Sequence, residues 1–190
     1  MYAAEDDPYC YPGTLVLRNM FKIREAATLS ALETELAMAR ADEPLPDGRM
    51  DVSHFLSVHH HLFQDIYDWA GQPRTVRTSK GISHFCYPEQ IEPQLGILFR
   101  QLDKDKLLAG LSKSEFSRKA AEFLATLNFI HAFREGNGRA QLSFMVLLAQ
   151  EAGHPFDLQR LEPQPFLQAM IASFHDDEGP LAKLLEDIAV

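Results

Sequence analysis

A glycine-rich stretch, His131-Ala132-Phe133-Arg134-Glu135-Gly136-Asn137-Gly138-Arg139, joins two apolar segments and constrains the fold more than any other part of the sequence. Upstream, Phe116, Ala120, Phe123, Leu124, Leu127 and Ile130 recur at three- and four-residue spacing, which marks one face of a helix. Downstream, Leu142 to Leu148 is apolar nearly all round, the pattern of a buried central helix, and Gly153 followed by Pro155 stops it. Neither flank alternates with period two, so the Asn-Gly pair is not read as a hairpin turn. The stretch predicts a helix–loop–helix whose loop opens the second helix.

That geometry suits an anion. A helix N-terminus offers unpaired N–H groups and the positive end of the dipole. Gly136 and Gly138 let successive N–H groups turn into one concavity, Asn137 adds a side-chain donor, and Arg139 adds a charge matched to phosphate oxygens. Glu135 would repel a bare phosphate but is suited to hold Mg²⁺ bridging carboxylate and phosphates. His131, at the end of the preceding helix, is placed to take a proton from an attacking hydroxyl. A histidine at a helix end is most often structural; this one has a metal ligand, an anion nest and an arginine beside it. Together they point to transfer of a phosphate-linked group.

These residues resemble the Fic motif, H-P-F-x-[D/E]-G-N-G-R-x-x-R: His131, Phe133, Glu135, Gly136, Asn137, Gly138 and Arg139 fit it. The likeness extends to Asp7-Pro8-Tyr9, to Tyr11-Pro12-Gly13-Thr14 with Leu15 to Arg18, and to the block from His60 to Gly71, so nearly the whole chain is covered. It resembles most the compact bacterial Fic toxins. Two positions depart. Ala132 replaces a proline that only shapes the helix exit. Leu142 replaces the last arginine, which in the family meets the terminal phosphate of ATP and pairs with an inhibitory glutamate. The residues alone read Leu142 as a packing contact.

The resemblance implies an all-α Fic fold: one domain over 1–190, a helical bundle around the motif at 131–142, with a small β-hairpin flap near 74–87. Thr75 to Thr78 favour an extended backbone, Lys80-Gly81 suits a turn, and Ile82, His84 and Phe85 suit a return strand. By resemblance, Lys80, Gly81, Ile82, Ser83, His84 and Phe85 form the flap that holds a target segment by strand addition. Elsewhere the pattern predicts helices over Leu15 to Ile23, from a Ser30/Glu33 capping box to Arg40, from Val52 to Asp68, from Glu89 to Leu102, from Arg160 to Phe174, and from Leu181 to Ile188. A second capping box, Ser112/Glu115, opens the motif's first helix. His59-His60-His61 invites a metal reading, but consecutive helical residues point about 100° apart and do not converge on one ion. Trp69 reads as a core anchor.

A formal net charge of −9 argues against non-specific nucleic-acid or anionic-membrane binding. No apolar run is long enough to span a membrane, the N-terminal residues lack a signal-peptide pattern, and Cys10 and Cys86 are too few for a disulfide framework. A cytoplasmic, bacterial setting is expected. The resemblance further implies AMP transfer from ATP, with Mg²⁺ on Glu135 and His131 as base, to a Tyr, Ser or Thr hydroxyl of a target protein. By analogy the target is a gyrase or topoisomerase IV subunit. The inhibitory [S/T]-x-x-x-E-[G/N] pattern is absent from the sequence, which implies a small antitoxin acting in trans. Leu142 leaves two alternatives open: another nucleotide or CDP-linked donor, or a weakly active nucleotide- or partner-binding module.

Overall fold

The computed structural model describes residues 7–80 and 83–190. Among them are seven α-helices and one two-stranded hairpin: α1 (Ala26–Ala41), α2 (Val52–Phe63), β1 (Ser79–Lys80), β2 (Ser83–His84), α3 (Pro88–Lys104), α4 (Lys113–Ile130), α5 (Asn137–Ala152), α6 (Pro163–Ser173) and α7 (Gly179–Ile188). The all-α expectation and the helix–loop–helix at the motif hold. The antiparallel strands are two residues long, with Ser79 opposite His84 and Lys80 opposite Ser83. Gly81 and Ile82 of the expected flap lie outside the described residues.

Helix α4 is the spine. Its capping box is complete: the Ser112 hydroxyl accepts from the Glu115 N–H, and the Glu115 carboxylate accepts from the Ser112 N–H. Its stripe Phe116, Ala120, Phe123, Leu124, Leu127 and Ile130 is buried as the periodicity requires. Helices α3, α5 and α7 pack on it, while α2 packs against α1 and α5. Phe133, from the motif loop, sits 5.2 Å from the Phe55 ring, which also meets Phe99 and Phe144. Burying such a ring contributes about 1.5–3 kcal/mol, so the loop is anchored in the core. No described helix is long and apolar enough to cross a membrane.

Four sequence expectations are corrected. Leu15 to Ile23 is not a helix: Pro12-Gly13 turns the chain, Gly13 at φ 71°, so that Leu17 bridges Cys10 and Tyr11 N–H donates to Val16 O at 2.9 Å. Asn19 then fixes the exit, its side chain exchanging hydrogen bonds with the Ile23 backbone at 2.8 and 3.0 Å. Helix α1 starts before Ser30, because the Glu25 carboxylate accepts from the Ala27 and Thr28 N–H groups. Helix α2 stops at Phe63, and the turns after it bury Ile66, Tyr67, Trp69 and Ala70, with Tyr67 and Trp69 stacked at 4.4 Å. Helix α6 starts at Pro163 after a single 3-10 turn over Leu158–Arg160.

Candidate active site

The site grows from the way α4 ends and α5 begins. His131 caps α4 in a left-handed conformation, φ 48° and ψ 60°, and is 8% exposed. Gly136 caps α5, also left-handed at φ 79°. A β-carbon at Gly136 would lie 2.3 Å from Cζ of Phe63, so conformation and space both demand glycine there. Gly138, by contrast, lies in the first turn of α5, exposed, with open space where a β-carbon would go. Only the first of the two glycines bends the chain.

Asn137 also differs from expectation. Its Oδ1 accepts from the Phe133 N–H at 2.9 Å and its Nδ2 donates to Phe133 O at 2.7 Å. The side chain is a buried latch that closes the loop, with Oδ1 and one Nδ2 hydrogen committed to Phe133. No side chain caps α5, and the first helical bond runs from Ala140 N–H to Gly136 O. The N–H groups of Asn137, Gly138 and Arg139 are thus the uncapped donors of the helix start. Glu135 is half-buried beside them, with Oε1 accepting from Gly136 N–H at 3.0 Å.

Arg139 is half-exposed, its guanidinium carbon 4.7 Å from the Phe63 ring centre. It is ion-paired to Glu33 of α1, which also accepts the Tyr67 hydroxyl. Burial and the Glu33 charge push the Tyr67 phenol up, so it stays a hydrogen-bond donor. Glu33, Tyr67, Glu135 and Arg139 share the wall of a cavity of about 520 Å³ with Leu15 and Leu29. Leu142 is half-buried on α5 and off the helix's buried stripe of Gln141, Phe144, Met145 and Leu148, so it is less a core contact than the pattern suggested.

Beneath the loop lies His59. Its Nδ1 accepts from Gly71 N–H at 2.9 Å, and its Nε2 donates to Glu135 O at 3.0 Å. Its ring stacks on Phe133 at 3.7 Å. Burial drives its pKa down to about 3, so it is neutral. His60 and His61 bond the carbonyls of Ala70 and Arg40 separately, and no cluster of three His, Cys, Asp or Glu occurs among the described residues. The three histidines are separate backbone staples. Arg134 of the motif is buried too, ion-paired with Asp7 at 2.7 Å, which ties the N-terminal segment to the loop.

On the other side, the flap residue Phe85 stacks on the His131 imidazole at 3.7 Å with ring planes 10° apart. Phe85 N–H donates to Thr78 O at 3.3 Å, and Cys86 N–H donates to Phe129 O at 3.1 Å, which ties the flap's return leg to α4. Lys80, Ser83 and His84 lie on the hairpin strands. Sequence reasoning missed Arg74, Glu33, Tyr67 and the role of His59. Arg74 stands in a polar connector and Glu33 in an apparent capping box, so neither carried a signal of burial or of contact with the loop.

The profile of the Fic/DOC family matches residues 49–149, which include α2, the hairpin, α3, α4 and most of α5. A relative named probable protein adenylyltransferase y4lH, from Sinorhizobium fredii, is 50% identical over 182 residues, 95% of each chain. The protein adenylyltransferase VbhT of Bartonella schoenbuchensis is 36% identical over 187 residues, 97% of this chain and 39% of that protein. The crystal structure of the VirB-translocated effector BepC of Bartonella tribocorum, with bound AMPPNP, matches with a TM-score of 0.86 over 96% of both chains at 29% identity. The motif from His131 to Arg139 lies within the matched profile, and the helices that carry it are those of the Fic structures. The chain belongs to the Fic/DOC family.

Proposed function

We propose that this chain is a protein adenylyltransferase, which moves AMP from ATP onto a hydroxyl side chain of a target protein. The observation that carries it is the uncapped start of α5, with Glu135 and Arg139 beside it and His131 at the loop's other end. Relatives named as adenylyltransferases and a neighbouring structure with bound AMPPNP support the donor.

The uncapped N–H groups and Arg139 hold the phosphates. His131 takes the proton from a Tyr, Ser or Thr hydroxyl. The hydroxyl oxygen bonds to the α-phosphorus, the bond from that phosphorus to the bridging oxygen breaks, pyrophosphate leaves, and AMP stays on the target. Glu135 fits Mg²⁺, since one carboxylate beside a phosphate nest is the usual protein share of such a site. Bound there, the ion would neutralise phosphate charge. The paired strands Ser79–Lys80 and Ser83–His84 are the docking edge for the target strand. Leu142 favours a second reading, a different donor, because the terminal phosphate of ATP loses a cation there.

Control by a small antitoxin fits a toxin of this compact type, and topoisomerase subunits are the first targets to try. The test is incubation of the purified chain with Mg²⁺, each α-labelled nucleotide in turn, and a bacterial lysate. Label from ATP alone, with a mass gain of one AMP on the target, is expected. Label from another nucleotide would replace ATP as donor. No label from any, with nucleotide binding intact, would leave a binding module.

A further inference from the structure

Arg74 opens the flap segment and is 2% exposed. Its backbone N–H donates to Ala132 O at 2.8 Å, and its Nε donates to His131 O at 2.8 Å. Its terminal nitrogens donate to Val76 O and Cys86 O, each at 2.6 Å, and to Ile130 O at 3.3 Å. These carbonyls come from three places. Ile130, His131 and Ala132 form the turn where α4 ends; Val76 is on the leg entering the flap; Cys86 is on the leg leaving it. The planar guanidinium spans the carbonyls of Val76, Cys86, Ile130 and His131, which the point charge of a lysine does not.

The turn it holds needs holding. A left-handed conformation is disfavoured for a residue with a β-carbon, and it persists where the surroundings impose it. At His131 the Arg74 bonds engage the carbonyls before, at and after the residue. Phe85, one residue past β2, then stacks on the imidazole at 3.7 Å and is itself met edge-on by Phe174 at 5.5 Å. The flap thus reaches His131 twice: at the backbone through Arg74 and at the ring through Phe85.

We propose that Arg74 is a positioning residue for His131, joining both legs of the flap to the base's own turn, with Phe85 setting the plane of the ring. Flap and base then form one frame, and a target strand that pairs with the flap acts on a unit whose far end is the imidazole. This rests on the AMP-transfer reading for its consequence in turnover, but not for the coupling itself. A plain structural staple would lower stability without moving the histidine's titration or separating kcat from nucleotide binding.

The experiment uses the full chain with Arg74→Lys and Phe85→Leu. Three quantities are read: Kd for Mg²⁺·ATP, kcat and KM for AMP transfer to target, and the titration of the His131 ring by NMR, assigned with His131→Ala. Arg74→Lys is expected to lower kcat about ten- to a hundred-fold, the scale of an ångström of misplacement, with Kd unchanged within about twofold and a shifted His131 titration. Unchanged kcat and an unmoved titration overturn the proposal. So does a fall in kcat matched by equal loss of nucleotide binding with the titration unmoved. If Arg74→Lys does not fold, Phe85→Leu decides: a several-fold lower kcat with an altered His131 titration supports the frame, and no change in either overturns it. If the unmodified chain transfers nothing, the AMP-transfer reading fails, while the His131 titrations still decide whether flap and base are coupled.

Discussion

The motif loop has two faces, and they are built on opposite principles. The inner face is fully committed. Phe133 packs into the aromatic core, Asn137 latches Phe133, Arg134 holds Asp7, and His59 holds the Glu135 carbonyl from below. The outer face is uncommitted by comparison: Gly138 is exposed, Glu135, Arg139 and Leu142 are half-buried, and α5 starts without a side-chain cap. Motif letters that look alike in sequence therefore divide into those that fix the loop and those left open on its surface, where the ligand is proposed to bind. Asn137 and Gly136 belong to the first group; Glu135 and Arg139 belong to the second.

The sharpest way to break the inner face is Gly136→Ala. Its β-carbon would meet Phe63 at 2.3 Å and its φ is 79°, so overpacking and backbone strain combine to about 2–4 kcal/mol. Thermal melts should show a clear loss of stability, and Mg²⁺·ATP binding by calorimetry should vanish. The same substitution at Gly138, where space is open, should do much less; equal effects would erase the distinction between the faces.

On the outer face, Leu142→Arg restores a cation. A charge-assisted contact is worth about 1.5–3 kcal/mol, so transfer from ATP by purified protein should rise roughly ten- to a hundred-fold. No gain would mean that position 142 does not face the donor's phosphates.

The inner face also carries a pH signature. The folded chain holds His59 near a pKa of about 3, while an unfolded histidine titrates near 6.5. Below about pH 6.5 the unfolded chain takes up a proton that the folded chain refuses. Stability is therefore intact above that pH and falls toward pH 3, by up to about 1.4 kcal/mol per unit. Urea melts of the unmodified chain and His59→Gln should differ by an amount that shrinks as pH drops from 7.5 to 5; a constant difference would show that the buried ring carries no linkage.

The smallest effect is expected at Glu33→Gln. Glu33 pairs with Arg139 at the rim; Glu33 is largely buried but the Arg139 guanidinium is half-exposed, and solvent screening there holds the pair to about 1 kcal/mol. Glutamine keeps an acceptor for Tyr67 but removes a negative charge beside the phosphate site, so ATP should bind up to about fivefold more tightly. Weaker binding would instead make Glu33 a guide for the Arg139 guanidinium.

The division between faces also explains what was legible. The α4 stripe, its capping box and the stop at Gly153 are local patterns, and each reads directly because local hydrogen bonding and periodicity decide it. A bend at the glycines was legible for the same reason, but the pattern assigns it to Gly136 and Gly138 alike, whereas only Gly136 is left-handed. Leu15 to Ile23 misled because its apolar spacing suits a helix, while pairing with Tyr9 to Tyr11 across Pro12-Gly13 wins. Asn137 was read outward because an amide beside a nest resembles a donor; only the folded loop shows its side chain buried and bonded to Phe133 through both Oδ1 and Nδ2. Arg74, Glu33 and His59 act across long sequence separations, and no local pattern announces such contacts.

The most direct test of the account is a paired measurement on His131→Ala: Mg²⁺·ATP affinity and AMP transfer on the same preparation. The two roles assigned to the loop, holding phosphates at the start of α5 and moving a proton at the end of α4, should separate. Affinity within about twofold of the unmodified chain, with transfer lost by about a hundredfold or more, is the predicted result. Transfer that survives, or affinity that collapses with it, would contradict the assignment of His131 as the base.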